Sequence, residues 1–371
     1  MQERTANQLE AKENEAKQLK IGIIIPVYEI PAHMLRECFA SLQRQTYKNI
    51  EVVFVDDASP DACGQICDEF ATVDSRVTVI HKEHNEGVSA ARNTGIDYIS
   101  CDYLTFVDGD DWVDDNLFHD LMEAVSTYDS LPDIVIFQQA MAYLNQNLFT
   151  TPYPLEHIWD IPEKRESLQI MAISPALKGT YARVPAIDHV AGKLISCDLL
   201  KKTGIRFRRI PYREDGVFFQ EIVEEANCVV EVPTGYYYYR MRKGSAVNQF
   251  RKNAPSEMLE LCKLMFDFAE RRKKSKAYWH ALYSFLLIPI QMSIVCYFYH
   301  PENKMNFIKK YIQCRLYLKQ KPYREFFQNV SLRQLNRNNW IKAALLKFNC
   351  YGAIAWLRRL YFEKQEFIPY E

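Results

Sequence analysis

The chain has 371 residues, enough for one large core with an appendage or for two domains. Its 48% hydrophobic and 25% charged content describes a globular protein and excludes a disordered one. The formal net charge of −1 conceals an asymmetry: residues 251–371 hold about 22 Lys and Arg against about 9 Asp and Glu, leaving about 24 against about 38 before them, so a basic tail suited to an anionic surface follows an acidic front.

Met1–Lys20 is polar and lacks the apolar stretch of a secretory signal, so it reads as a leader. The ten cysteines show no metal-type pairing; Cys63 and Cys67, one helical turn apart, suit packing. They are expected to be thiols in a reducing, cytoplasmic compartment.

Ile21–Val27 is a short, β-branched apolar run expected to be a strand buried on both faces. Pro31 opens a helix whose Leu35, Cys38, Phe39 and Leu42 share one face. Ile50–Val55 is a second strand closing on Asp56 and Asp57; a helix over Cys63–Thr72, a strand at Val77–His81, a helix over Gly87–Tyr98 and a strand at Tyr103–Val107 follow. Alternation of short strands with helices predicts a mostly parallel, mixed α/β sheet. Ile134–Phe137 is another strand, whereas residues 139–185 show little periodicity and suggest a functional loop or insertion. Lys193–Lys202 reads as a helix, Arg206–Arg209 as a basic turn, and Glu214 and Asp215 precede a further helix. Val229–Val232 and Tyr236–Met241 are late strands.

In such sheets ligands sit beyond the carboxyl ends of the strands. Three strand ends here carry polar groups: Tyr28 with Glu29, Asp56 with Asp57, and Asp108 with Asp110. Within Leu104–Trp112, Asp108 and Asp110 are two apart on an extended chain and so face one ligand, with Gly109 expected to open the backbone to it. Asp111 is expected to cap a helix beginning near Trp112. Neither a Walker-type loop nor a Gly-x-Gly-x-x-Gly after the first strand is present, which argues against P-loop enzymes and ordinary dinucleotide-binding dehydrogenases.

Several ordered motifs carry a resemblance across residues 20–245. They are Ile-Pro-Val-Tyr (25–28), Gln-Thr-Tyr-Lys-Asn-Ile-Glu (45–51), Val-Asp-Asp-Ala-Ser-Pro-Asp (55–61), Gly-Val-Ser-Ala-Ala-Arg-Asn (87–93), Phe-Val-Asp-Gly-Asp-Asp-Trp (106–112), Glu-Asp (214–215) and Tyr-Tyr-Arg-Met-Arg-Lys-Gly-Ser (238–245). In this the chain resembles the inverting, metal-dependent glycosyltransferases of family 2, which have a GT-A fold. The resemblance implies that Pro26, Tyr28 and Asp57 line the nucleotide base, and that Asn85 and Arg92 lie near the donor-side loop, Arg92 equally suiting a structural ion pair. It implies that Asp108 contacts ribose or the metal shell and that Asp110 ligates a divalent cation, Mg²⁺ or Mn²⁺. It also implies that Arg240 and Arg242 neutralise the diphosphate, that Asp215 is the general base, and that Glu214 supports it or contacts the acceptor. Glu29 departs from the usual Asn, Ala58 and Pro60 alter the usual Asp-Gly-Ser-Thr turn, and Ala191-Gly192-Lys193-Leu194 lacks the Trp many relatives carry. The reaction implied is sugar transfer from a nucleotide-sugar, by family UDP-linked, to a glycan or lipid-linked acceptor. A sugar-phosphate nucleotidyltransferase and a non-catalytic sugar- or partner-binding protein on the same fold are the alternatives. The first lacks its Gly-rich loop here, and the second predicts lost carboxylates that are present.

Domains are expected at residues 1–20 (leader), 21–250 (transferase) and 251–371 (basic, aromatic-rich helical region). Arg271–Lys276 is a basic run leading into an apolar segment, Leu282–Tyr299, expected either to lie in a membrane interface at the cytoplasmic face or to be buried in a helical core. Trp356, Arg358, Arg359, Tyr361 and Phe362 repeat the aromatic–basic mixture. No nucleic-acid recognition motif accompanies these charges.

Overall fold

The computed structural model describes residues 18–144, 146–149, 158–173, 187–241 and 250–363. The chain packs as two compact units: residues 1–165, 189–209 and 218–241 make the first, and residues 166–188, 210–217 and 242–371 the second.

The first unit is built on ten strands: β1 (Ile21–Val27), β2 (Ile50–Asp56), β3 (Val77–His81), β4 (Tyr103–Phe106), β5 (Trp112–Val113), β6 (Ile134–Tyr143), β7 (Gln146–Phe149), β8 (Ile158–Trp159), β9 (Lys193–Ser196) and β10 (Val229–Arg240). They form one sheet in the order β3-β2-β1-β4-β9-β6-β10-β5, with β7 paired to β6 and β8 to β10. The strands β3, β2, β1 and β4 run parallel, as the alternating pattern predicts. The register then changes hand: β9 is antiparallel to both β4 and β6, and β10 returns parallel to β6. All seven residues of β1 are buried, as a strand covered on both faces requires.

Helices of this unit are α1 (Ala32–Gln43), α2 (Cys63–Val73), α3 (Val88–Tyr98) and α4 (Leu117–Ser126). In α1 the buried side includes Leu35, Cys38, Phe39 and Leu42, the face its spacing predicts. Two expectations change in the later stretch. Lys193–Ser196 is strand, and only Cys197–Thr203 is helical (α6), capped by the Ser196 side chain. The two expected late strands are one, β10, with an irregularity between Glu231 and Tyr236. The aperiodic stretch contains β7, β8 and the helix α5 (Pro162–Ile173), the rest of 139–185 lying partly outside the described residues. All ten cysteines are free thiols.

The helix α7 (Glu214–Glu225) begins in the second unit and ends in the first. The second unit continues with α8 (Ala254–Arg271), α9 (Lys276–Phe285), α10 (Leu287–Ser293) and a π-helical turn, Ile294–Phe298. After these come α11 (Phe307–Leu318), α12 (Tyr323–Asn329), α13 (Arg337–Lys347) and α14 (Tyr351–Glu363). The run Lys276–Phe298 is long and apolar enough to cross a membrane, yet 78% of its apolar window is buried inside the protein. Leu286, Leu287, Ile290, Ile294 and Phe298 form one cluster with residues of α11, α12 and α14, while Tyr278, Leu282 and Phe285 pack in another against α8. The segment Leu282–Tyr299 is therefore the core of the helical unit and not an interfacial helix.

Candidate active site

The polar strand ends lie side by side because β2, β1 and β4 are neighbours. At the end of β1, Pro26 is buried in register with Val55, and Tyr28 projects 42% exposed. Glu29 follows in the left-handed region at φ 48°, a conformation Asn adopts more readily than Glu.

At the end of β2 two adjacent carboxylates diverge. Asp56 accepts from Ser59 N at 2.9 Å and meets His81 Nδ1 at 3.0 Å. Asp57 turns to the loop after β3: Lys82 Nζ donates to it at 2.7 Å, Gly87 N at 2.7 Å, and Glu86 N at 3.1 Å. Asp57 is buried and both of its oxygens hold the loop that carries the exposed Asn85. Lys82 had given no signal in the sequence; a single lysine after a strand looks like any surface cation.

At the end of β4 the carboxylates occupy three environments. Asp108 accepts a hydrogen bond from Arg92 Nη2 at 3.0 Å. Arg92 is buried on α3, its guanidinium 6.0 Å from the Phe106 ring centre and 5.3 Å from that of Phe207, an anchored partner for a part-exposed acid. Asp110 is half-buried.

Asp111 corrects the expectation of a helix cap. It is buried, the next element is β5, and α4 begins only at Leu117. Tyr237 Oη donates to its Oδ2 at 2.5 Å and the backbone N–H of Arg240 to its Oδ1 at 2.7 Å. The Tyr237 hydroxyl also accepts from Asp108 N at 3.1 Å. Thus β10 clamps the loop through the one carboxylate that faces inward. Burial, then the neighbouring Asp110 and Asp108 charges, lift the Asp111 carboxyl well above the usual carboxylate range. The same three acids, after burial, raise the Cys38 thiol on α1 beneath them.

Gly109 is also explained differently from its first reading. A Cβ there would stand 2.5 Å from Ile30 Cδ1 and 3.4 Å from Leu35 Cδ1, so the missing side chain serves packing against the core. Arg240 is buried. Its Nη2 donates to Glu37 at 2.6 Å, its Nε to Asp110 O at 2.6 Å, and its guanidinium lies 4.4 Å from the Trp112 ring centre. Trp112 in turn stacks on Tyr238 at 5.1 Å. Arg240 is thus tied to the loop backbone as well as contributing charge behind it. Sequence reasoning missed Tyr237, Glu37 and the inward role of Asp111; in Tyr236–Tyr239 four identical side chains hide that Tyr237 is the buried one.

A divalent cation fits these residues. Their donors are hard carboxylate oxygens, and Asp108 and Asp110, unlike the buried Asp111, keep part of their surface open to solvent at the end of β4.

Glu214 and Asp215 form the first turn of α7, within the second unit. Arg213 just before them has φ 57°, pairs with Asp188, and lies 5.3 Å over the Phe285 ring. Gly216 leaves room for this, since a Cβ would meet Asp188 Oδ2 at 3.1 Å. The start of α7 is therefore fixed by an ion pair and an aromatic ring. Arg242 lies outside the described residues.

Comparison with known proteins agrees with this architecture. A family profile, Glycosyl transferase family 2, matches residues 22–182. Glycosyltransferase GlyA of Streptococcus pneumoniae serotype 4 is 35% identical over 231 residues, 61% of this chain and 31% of GlyA. EpsJ of Bacillus subtilis, an uncharacterized glycosyltransferase, is 31% identical over 244 residues, 65% of this chain and 66% of EpsJ. The chain thus spans about a third of GlyA and just under two thirds of EpsJ. The crystal structure of residues 1–349 of TarS from S. aureus matches with a TM-score of 0.60 at 18% identity, covering 92% of each chain. TarS is also known in complex with UDP and with UDP-GlcNAc. Residues 22–182 are a glycosyltransferase family 2 domain, and the fold is of the GT-A type.

Proposed function

We propose that the chain is an inverting glycosyltransferase that moves a sugar from a UDP-linked donor to a glycan or lipid-linked acceptor in glycoconjugate biosynthesis. The observation that carries this reading is the part-exposed pair Asp108 and Asp110 at the end of β4, beside the ends of β1 and β2, on a loop clamped by β10 and α3. A rigid acidic loop at that place suits a nucleotide diphosphate and its cation better than a free sugar. UDP is the nucleotide bound by TarS, and it accords with the family.

In this reading the base rests against Pro26 and Tyr28, with Asp57 acting through the loop bearing Asn85. Asp108 and Asp110 would hold a Mg²⁺ or Mn²⁺ ion, which would supply positive charge against the leaving diphosphate. Arg240, fixed behind the loop, adds positive charge, and Arg242 shares that task. Asp215 takes the proton of the acceptor hydroxyl as it attacks opposite the leaving group, and Glu214 orients the acceptor. One base and one in-line displacement invert the anomeric centre.

Calorimetric titration of UDP with and without Mn²⁺ tests the donor side. Asp110→Ala should weaken the Mn²⁺-dependent binding by at least about tenfold; equal binding by the variant would remove Asp110 from the metal site. A panel of nucleotide-sugars, read by nucleoside diphosphate release, identifies the donor. With that donor, Asp215→Asn should keep UDP binding and lose roughly 10²- to 10⁴-fold in transfer. Transfer near the wild-type rate would assign the base elsewhere.

A further inference from the structure

Part of the tail's basic character gathers on and around one helix. Between Glu302 and Glu325 the chain has seven cations (Lys304, Lys309, Lys310, Arg315, Lys319, Lys321 and Arg324) and no acid. Within this stretch α11 buries Cys314, Tyr317 and Leu318 in the helical core. Its opposite face is neither core nor purely polar. Ile308, Ile312 and Leu316, spaced by four and so aligned on one stripe, are 68%, 50% and 58% exposed. Phe307 adjoins them at 69%. Lys309, Arg315 and Lys319 flank that stripe on the same outward side.

Beside α11 lies an open cavity of about 750 Å³. Arg315, Lys319, Arg324 and Lys347 line it, above a floor that includes Leu318 and Leu346. Arg324 pairs with Glu325, Nε to Oε1 at 3.7 Å; Arg315, Lys319 and Lys347 form no ion pair with a described residue. Phe348, next to Lys347, is 76% exposed. Four cations, three of them without an ion pair among the described residues, stand round an apolar floor beside the helix that carries the apolar stripe, and together they match the layered chemistry of a lipid headgroup over acyl chains.

We propose that the outer face of α11 and this cavity dock the second unit on a bilayer containing anionic phospholipid, with a lipid phosphate seated among Arg315, Lys319, Arg324 and Lys347. Ile308, Ile312 and Leu316 enter the headgroup–acyl boundary, and the flanking lysines and arginine meet the anionic surface. A nucleic acid would match the cations but leave the stripe in water. A second copy of this chain would face its own positive charge. The proposal is independent of the donor and base assignments, since none of these residues belongs to the site described above.

Flotation of the full chain with vesicles tests it. Wild-type protein should float with vesicles of phosphatidylcholine plus phosphatidylglycerol and stay behind with phosphatidylcholine alone. Replacing Ile308, Ile312 and Leu316 together by Ser should cut the bound fraction at least about tenfold, with circular dichroism and thermal unfolding unchanged because the three side chains are solvent-facing. Arg315→Gln with Lys347→Gln should remove the preference for the anionic lipid while leaving the fold intact. Free glycerol phosphate at millimolar concentration should fail to release the protein from vesicles. Absence of flotation, or flotation of the triple variant at wild-type level, overturns the proposal. So does full release by glycerol phosphate, which would make the cavity a site for a soluble phosphate. A light-scattering mass that falls on triple substitution would reassign the face to self-association, and this too overturns it.

Discussion

Ala58 occupies the left-handed region at φ 58°, in the turn that follows the two carboxylates of β2. Family members commonly place Gly there, and an L-residue with a Cβ is strained by about 1 kcal/mol in that conformation. Ala58→Gly should therefore raise the unfolding free energy by roughly 0.5–1 kcal/mol, read as a higher urea midpoint with an unchanged slope; a lower midpoint would show that the unfolded chain's gain in freedom outweighs the relief. Positions of this kind are legible in the sequence once the resemblance supplies the turn. The fate of Asp111 is not. Asp108, Asp110 and Asp111 are chemically identical in the sequence, and their roles separate only through Arg92, the solvent and the Tyr237 hydroxyl. The partner of Asp111 lies 126 residues along the chain, so no local pattern marks which acid turns inward.

The strand β10 does two kinds of work. Its end holds the carboxylate loop, and near its start Glu231 carries a buried acid. Burial lifts that carboxyl to about 8, with the Lys193 ammonium drawing it partly back down. The folded chain therefore holds the proton more tightly than the unfolded chain, whose carboxyl titrates near 4.5. The stabilising contribution is whole below the unfolded value and is lost as the pH rises through about 8. Glu231→Gln should remove this slope, making the variant more stable by about 2 kcal/mol above pH 8, half the full linkage value because the group is not wholly buried. The gain should shrink toward about pH 5, and thermal unfolding across that range checks it. A gain independent of pH would point to packing instead of ionisation. Elements with a clean period, such as β1 and α1, were legible in advance, because burial on both faces or on one face leaves a pattern. The helix α11 left none: with apolar residues on the core side and on the solvent side, its periodicity cancels, and only the fold shows that two faces differ.

For the molecule as a whole, the charge asymmetry separates an acidic front from a basic tail, and composition leaves the tail's apolar segment two incompatible places. Packing decides between them: Leu282–Tyr299 holds the helical unit together, and exposed apolar surface appears instead on α11. The division also runs through the sequence non-contiguously, since residues 166–188 and 210–217 belong with the tail. No stretch of sequence announces that exchange, because it is made by side chains such as Ile173, Ile210 and Val217 joining a core formed by α8 and α9. The clamp on the carboxylate loop spans a comparable distance, with Tyr237 and Arg240 reaching Asp111 across 126 and 129 residues. During synthesis the entire acidic motif thus leaves the ribosome well before the strand that fixes it exists. Closing so long a loop is slow relative to forming the local β1–β4 alternation. The nascent chain passes through a stage in which its most recognisable motif is complete and its geometry is not, and the fixed shape of the carboxylate loop arrives with β10.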